Sequence, residues 1–271
     1  MTWISKLNPF PKRTEHIHDA IFLEVQDVVV QMNEHIALDD VSFILEGGEQ
    51  IAVVGPNGAG KSTLFKVIAG VIKPNKGSVN LGGHDPGKHI CIAYLPQRSE
   101  VDWSFPVTVR DVVMMGRVRR LGLGGWPKKI DWQKAEEYME TVRITHLADR
   151  QISELSGGQQ QRMFIAQALS QEAELMMMDE PFSGLDAVSQ EEVMRIIEML
   201  KERGVTVMVA MHDLSMASKR FEKVMLLNQK IMGMGDPEKV FTEQKLMEVY
   251  GNHLHMVKTE DGVMFVDDAC C

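Results

Sequence analysis

The sequence predicts an α/β domain: a mainly parallel sheet with a small antiparallel β-subdomain, plus a helical subdomain. Three observations predict it. An apolar strand runs into a glycine-rich turn and then a helix between Gln50 and Ala69, which is how a parallel α/β sheet begins. Strand and helix signals alternate again from Arg162 to Met211. Between these blocks, a stretch from about residue 99 to 161 carries helical spacing rather than strand alternation.

Leu23 to Val30 is rich in β-branched residues and Ser42 to Leu45 is a second short apolar run; both read as strands of the small antiparallel sheet. Gln50 to Val54 reads as a buried strand, Gly55 to Gly60 as a turn, and Lys61 to Ala69 as a helix that Gly70 stops, with Pro74 soon after. Within the insert, Thr108 to Met115 and Lys134 to Val142 have helical spacing, split by a glycine-rich linker from Gly116 to Trp126. A helix then spans Gln160 to Leu169, a strand Leu175 to Met178, a helix Gln190 to Arg203 and a strand Val205 to Met211. Val224 to Leu227 ends the core, and Lys245 to Tyr250 forms a last helix stopped by Gly251. The expected organisation is an extension over residues 1–20, one domain over 21–250 with its insert at about 99–161, and a tail over 251–271.

With 271 residues, 44% hydrophobic and 25% charged, the chain suits one domain with appendages, since cores split beyond roughly 250–300 residues. Leu175 to Met178 and Val205 to Met211 are its longest apolar runs, far short of the ~20 residues a membrane-spanning helix needs. Residues 1–20 lack the apolar core and cleavage site of a secretion signal, so a cytoplasmic location is expected. A net charge of −9 argues against a nucleic-acid partner, which requires clustered cations. Cys91, Cys270 and Cys271 make neither a disulfide framework nor a zinc spacing. The 20 methionines read as flexible core filler.

The segment Gly55-Pro56-Asn57-Gly58-Ala59-Gly60-Lys61-Ser62-Thr63 fills the phosphate-loop pattern G-x-x-x-x-G-K-[ST]. Glycines let successive backbone N–H groups turn toward one anion, and the helix that follows adds its positive end. Lys61 brings a full charge to the β- and γ-phosphates of a nucleotide, and the Ser62 hydroxyl can ligate Mg2+. Leu175-Met-Met-Met-Asp179-Glu180 places two carboxylates at the end of a buried strand, facing the crevice where ligands sit in such sheets. Asp179 is suited to holding Mg2+ through water, and Glu180 to orienting and deprotonating an attacking water. Alone, this ending also reads as a solvated acidic pair; the phosphate loop favours the catalytic reading.

Leu155-Ser156-Gly157-Gly158-Gln159 precedes a long helix, so it is a second helix start rich in free N–H donors. One phosphate loop with two such starts is explained if each nucleotide lies between two chains. At this point the sequence, over about residues 21–250, resembles the ATP-binding subunits of ABC transporters. Gln97 in Tyr94-Leu-Pro-Gln97 matches the Q-loop glutamine, Ser183-Gly-Leu-Asp186 the D-loop, and His212, followed by Asp213, the switch histidine. The resemblance implies a P-loop NTPase core of the ABC type that closes as a head-to-tail homodimer on two ATP molecules with Mg2+. Lys61, Ser62 and Thr63 of one chain would face Ser156 and Gly158 of the other, with Gly157, Gln159 and Asp186 also at the nucleotide. His212 would meet the γ-phosphate and Glu180 the water, while Ser62, Gln97 and Asp179 would serve Mg2+. An integral membrane permease would dock on the helical insert. The family's adenine-stacking aromatic aligns with Met32, close to His35, so packing without aromatic stacking and some tolerance of GTP are expected.

Val101-Asp-Trp-Ser-Phe-Pro-Val-Thr-Val109 resembles a segment of ATPases serving manganese, zinc and iron uptake. Met115-Gly-Arg117, Asp149-Arg-Gln-Ile152, Gln159-Gln-Gln-Arg162 and Asp179-Glu-Pro-Phe182 fit the same subfamily. The implied function is ATP-driven import of a metal ion, from the cytoplasmic face of the membrane, with an extracytoplasmic metal-binding protein in the same system. The competing explanation is that Trp103 and Phe105 only pack the insert, with another cargo such as an iron–siderophore, vitamin B12 or an amino acid. A non-transport ABC ATPase on ribosomes or DNA would usually carry two ATPase halves or a long coiled-coil insertion, and a P-loop small-molecule kinase would have no use for Leu155 to Gln159. The pairs His16/His18 and His253/His255 read as incidental, without a third metal ligand. Cys270-Cys271 reads as part of a disordered tail, and the segment with Trp3 and Phe10 as a mobile extension.

Overall fold

The computed structural model describes residues 21–32, 35–83, 92–121, 125–251, 254–259 and 262–267. The extension with Trp3, Phe10, His16 and His18 lies outside the described residues, as do Cys91, His253, Cys270 and Cys271. The first strands are β1 (Ile21–Met32), β2 (His35–Glu46) and β3 (Gln50–Val54), then helix α1 (Lys61–Ile68) and β4 (Lys76–Leu81). Strands β2, β1 and β4 form the small antiparallel sheet in that order. Alternation in β2 turns Val41, Phe43 and Leu45 inward, as a sheet covered on one face requires.

The larger sheet adds β5 (Ile92–Leu95), β6 (Leu175–Asp179), β7 (Thr206–Met211), β8 (Lys223–Asn228) and β9 (Lys230–Gly235). Its order is β5-β6-β7-β3-β8-β9, parallel except for the antiparallel β8–β9 pair. Every residue of β6 and β7 is buried, which is why both read as unbroken apolar runs rather than alternating ones. Side chains still alternate between faces. Ala52, Val54, Met176, Met178, Val207 and Val209 join the core shared with the helical part. Ile51, Val53, Leu175, Met177, Met208 and Ala210 pack with Leu64, Phe65 and Ile68 of α1 and with the small sheet.

The helical part comprises α2 (Val109–Met115), α3 (Val118–Leu121), α4 (Lys129–Thr141) and α5 (Gly157–Ser170). Thr108 caps α2 reciprocally with Asp111. The linker expected from Gly116 to Trp126 contains α3, and α4 begins before Lys134. A buried ion network holds these helices together. The Arg117 guanidinium donates to Asp131 at 3.0 Å and to Glu172 at 3.1 Å, while Arg120 and Lys134 pair with Glu172 at 2.7 and 2.8 Å. The Tyr138 hydroxyl adds a bond to Glu172 at 3.1 Å.

Helix α6 (Ala187–Glu202) precedes β7, and α7 (Leu214–Arg220) follows it. Val224 to Leu227 does not end the sheet: Gln229, at φ 58, turns the chain back into β9. Helices α8 (Pro237–Val240) and α9 (Glu243–Tyr250) follow. The segment expected to be a tail holds a hairpin, β10 (Leu254–Thr259) paired antiparallel with β11 (Gly262–Asp267). Among the described residues, no helix is long and apolar enough to cross a membrane.

Candidate functional site

The turn from β3 into α1 is shaped by close approaches. A Cβ at Gly55 would lie 2.0 Å from the Leu227 carbonyl oxygen, and one at Gly60 would lie 2.4 Å from that of Ala37. Gly60 also takes φ 97, a region other residues seldom enter. The Ala59 carbonyl accepts from the Gln229 amide at 2.8 Å, so the loop is clamped by the turn between β8 and β9. Lys61 opens α1 and is 6% exposed. Its ammonium donates to the Gly55 and Pro56 carbonyls at 2.7 and 3.0 Å. Burial lowers the pKa of Lys61, against the nearby charges of Glu180 and Asp179.

Asp179 ends β6 and is 4% exposed. Burial raises its pKa, and the neighbouring Glu180 charge adds to this; a hydrogen bond from Ser62 and the charge of Lys61 act the other way. Glu180 stands at φ 50, its N–H bonded to the Ala210 carbonyl of β7 at 3.0 Å. A non-glycine residue held there costs on the order of 1–3 kcal/mol, a strain that concentrates at functional sites. The Gln97 amide donates to a Glu180 carboxylate oxygen at 2.9 Å, so Gln97, expected at Mg2+, sits on the candidate base. Tyr94 also reaches the site, its hydroxyl 3.4 Å from Asp179 Oδ2. Sequence reasoning missed Tyr94 as a functional residue; its only signal was its place three residues before Gln97.

His212 follows the last residue of β7. It lines a cavity of about 230 Å³ with Glu180, Phe182, Ser183, Gly184 and Asp213. The structure therefore brings together the loop from Gly55 to Thr63, Asp179, Glu180, Gln97 and His212 at the carboxyl ends of β3, β5, β6 and β7. The available oxygen donors fit Mg2+, which takes one or two carboxylates and leaves positions to waters and phosphates. A buried carboxylate and the Ser62 hydroxyl already meet there.

Ser156 caps α5, so Gly157, Gly158 and Gln159 are its first turn rather than a lead-in to it. The Ser156 hydroxyl accepts from the Gln159 amide at 3.4 Å and the Ser156 amide donates to the Gln159 side chain at 3.0 Å, a reciprocal capping box. Asp186 caps α6, accepting from the Ser189 amide and hydroxyl, both at 2.9 Å; these bonds lower its pKa. Among the described residues, Ser156 to Gln159 make no hydrogen bond to their own chain's phosphate loop. Met32 is the exposed last residue of β1, opposite His35.

The pattern of the family described as ABC transporter matches residues 38–183. The chain is 43% identical over 237 residues to the manganese transport system ATP-binding protein MntB of Bacillus subtilis (strain 168), covering 87% of this chain and 95% of that one. It is 42% identical over 236 residues to the zinc transport system ATP-binding protein TroB of Treponema pallidum (strain Nichols), covering 87% and 89%. Among solved structures it is similar to a dimeric post-hydrolysis ATP-binding cassette bound to ADP and Pi, with a TM-score of 0.69, 25% identity and coverage of 79% and 98%.

Proposed function

The chain belongs to the ABC transporter family of ATP-binding proteins, and from that premise we propose that it powers import of a manganese, zinc or iron ion. It is an ABC-type ATPase, and its catalytic groups suit phosphoryl transfer to water by positioning and charge stabilisation. In this reading the ATP-binding domain spans residues 21–250 with its helical insert at about 99–161. The triphosphate lies along Gly55 to Thr63, and Lys61 turns from its own loop carbonyls toward it. Ser62 and Asp179 would hold Mg2+, which when bound offsets negative charge on the phosphates. Glu180 accepts a proton from the attacking water, and His212 faces the γ-phosphate.

The second half of each pocket comes from a twin chain, whose Ser156 to Gln159 and Asp186 meet the nucleotide. That assignment is supported by the similarity to a cassette that is dimeric after hydrolysis. An integral membrane permease docks on the helical insert, which holds the chain at the cytoplasmic face of the membrane. An extracytoplasmic metal-binding protein delivers the ion. The cargo is selected by those partners, so no residue of this chain need contact the metal.

One observation carries the proposal: the phosphate loop, Asp179, Glu180, Gln97 and His212 meet in a chain more than two-fifths identical to manganese and zinc transport ATPases. Uptake of manganese, zinc and iron by cells lacking the chain tests it. Loss of at least one is expected, and unchanged uptake of all three removes the metal cargo.

A further inference from the structure

Tyr94 has no part in that reading, yet its hydroxyl touches the carboxylate assigned to Mg2+. In the parallel pairing of β5 with β6, Tyr94 is level with Met177 and Leu95 with Met178. Side chains two residues apart share a face, so Asp179 points to the same side as Met177. Tyr94 packs on that side too, against the cluster containing Met177, Leu64 and Phe65. Its phenol reaches past its own level to donate to Asp179 Oδ2 at 3.4 Å.

Asp179 is 4% exposed, and a buried carboxylate needs donors to offset its lost hydration. Two hydroxyls supply them, Ser62 and Tyr94. Ser62 rides on the start of α1, directly after the phosphate loop, whereas Tyr94 rides on the sheet. The ammonium of Lys61 is turned to Gly55 and Pro56.

We propose that Tyr94 is a positioning residue, whose hydroxyl fixes one oxygen of the Asp179 carboxylate so that the other meets Mg2+-bound water. This rests on the reading of Asp179 as the Mg2+ carboxylate. Removing an outer partner of a metal site typically costs about 10–100-fold in metal affinity.

The test is Tyr94→Phe in the full chain, which keeps the ring and its packing and removes only the hydroxyl. Mn2+ stands in for Mg2+, and its binding is read by electron paramagnetic resonance with a non-hydrolysable ATP analogue. A weakening of about tenfold or more is expected, with metal-free binding of the analogue unchanged and the KM for Mg2+ raised at constant kcat. Equal Mn2+ affinity in the variant and the parent overturns the proposal. If the parent binds Mn2+ no better with nucleotide than without it, the Mg2+ reading of Asp179 fails and the proposal falls with it.

Discussion

The side-chain amide of Gln97 donates to a carboxylate oxygen of Glu180 at 2.9 Å, across 83 residues of sequence. That bond ties the segment leading into the helical part to the group best placed to activate water. Its consequence is that movement of Gln97 would change the hydrogen bonding of Glu180, whose remaining lone pairs stay open to water. Motion of the insert would then be felt at the base without any contact to the phosphates.

Glu180→Gln keeps the shape and an acceptor for Gln97 but removes the base. ATP binding and ATP-dependent dimerisation are expected to persist, with turnover falling by about 10²–10⁴-fold, the usual worth of a positioned base. Steady-state hydrolysis and size-exclusion chromatography with ATP check this. Near-parental turnover would contradict the role given to Glu180.

Lys61→Ala removes an ammonium that is bound to two loop carbonyls and lies beside two carboxylates. Hydrogen bonds to charged groups contribute about 1.5–3 kcal/mol each, so ATP should bind at least about tenfold more weakly. Isothermal titration measures it directly. An unchanged affinity would mean that the loop holds phosphate by its amides alone.

The parts legible in the sequence are those where a single physical demand dominates. Leu175 to Met178 and Val205 to Met211 show themselves as strands because both faces are covered, and Thr108 to Met115 shows itself as α2 through its helical spacing. Strand β9 is half-exposed, with Gly233 and Gly235 within it, so its glycines read as the end of the core. The hairpin β10–β11 depends on pairing between two short segments, which local pattern did not reveal. At the site, the phosphate loop and Asp179-Glu180 are local motifs and were readable. The partners of those carboxylates were not, because Gln97 and Tyr94 reach them through the adjacency of β5 and β6, a relation between strands whose paired residues are 83 apart in the chain.

Met32 is 42% exposed at the end of β1. A thioether packs a purine face by dispersion without reading its edge, and the aromatic pairing it forgoes is worth about 0.5–1.5 kcal/mol. GTP is therefore expected to bind within about a hundredfold of ATP, a difference under about 2.8 kcal/mol. Competitive equilibrium titration of the two nucleotides decides it, and a larger gap removes the idea.

The ion network around Glu172 is the clearest place where stability and activity should separate. Arg117 and Glu172 have side chains only 7% and 2% exposed; deleting Arg117 leaves the buried Asp131 carboxylate without its cation, while Glu172 keeps Arg120 and Lys134, and breaking a buried pair costs about 3–5 kcal/mol. Arg117→Met should lower unfolding stability by that order in urea titration, while ATP affinity of the folded chain stays near the parental value, since no member of the network belongs to the phosphate site. Burial alone would raise the Glu172 pKa, but hydrogen bonds from Lys134 and Arg117, with the charge of Arg120, bring it below the usual value. A depressed carboxylate pKa contributes stability that is present above about pH 4.3, the ordinary glutamate value, and is lost as pH falls through the lower folded value. The stability gap between parent and Arg117→Met should therefore narrow on acidification. A gap that stays constant from neutral pH down to acid unfolding would show that Arg117 contributes through packing rather than through its charge.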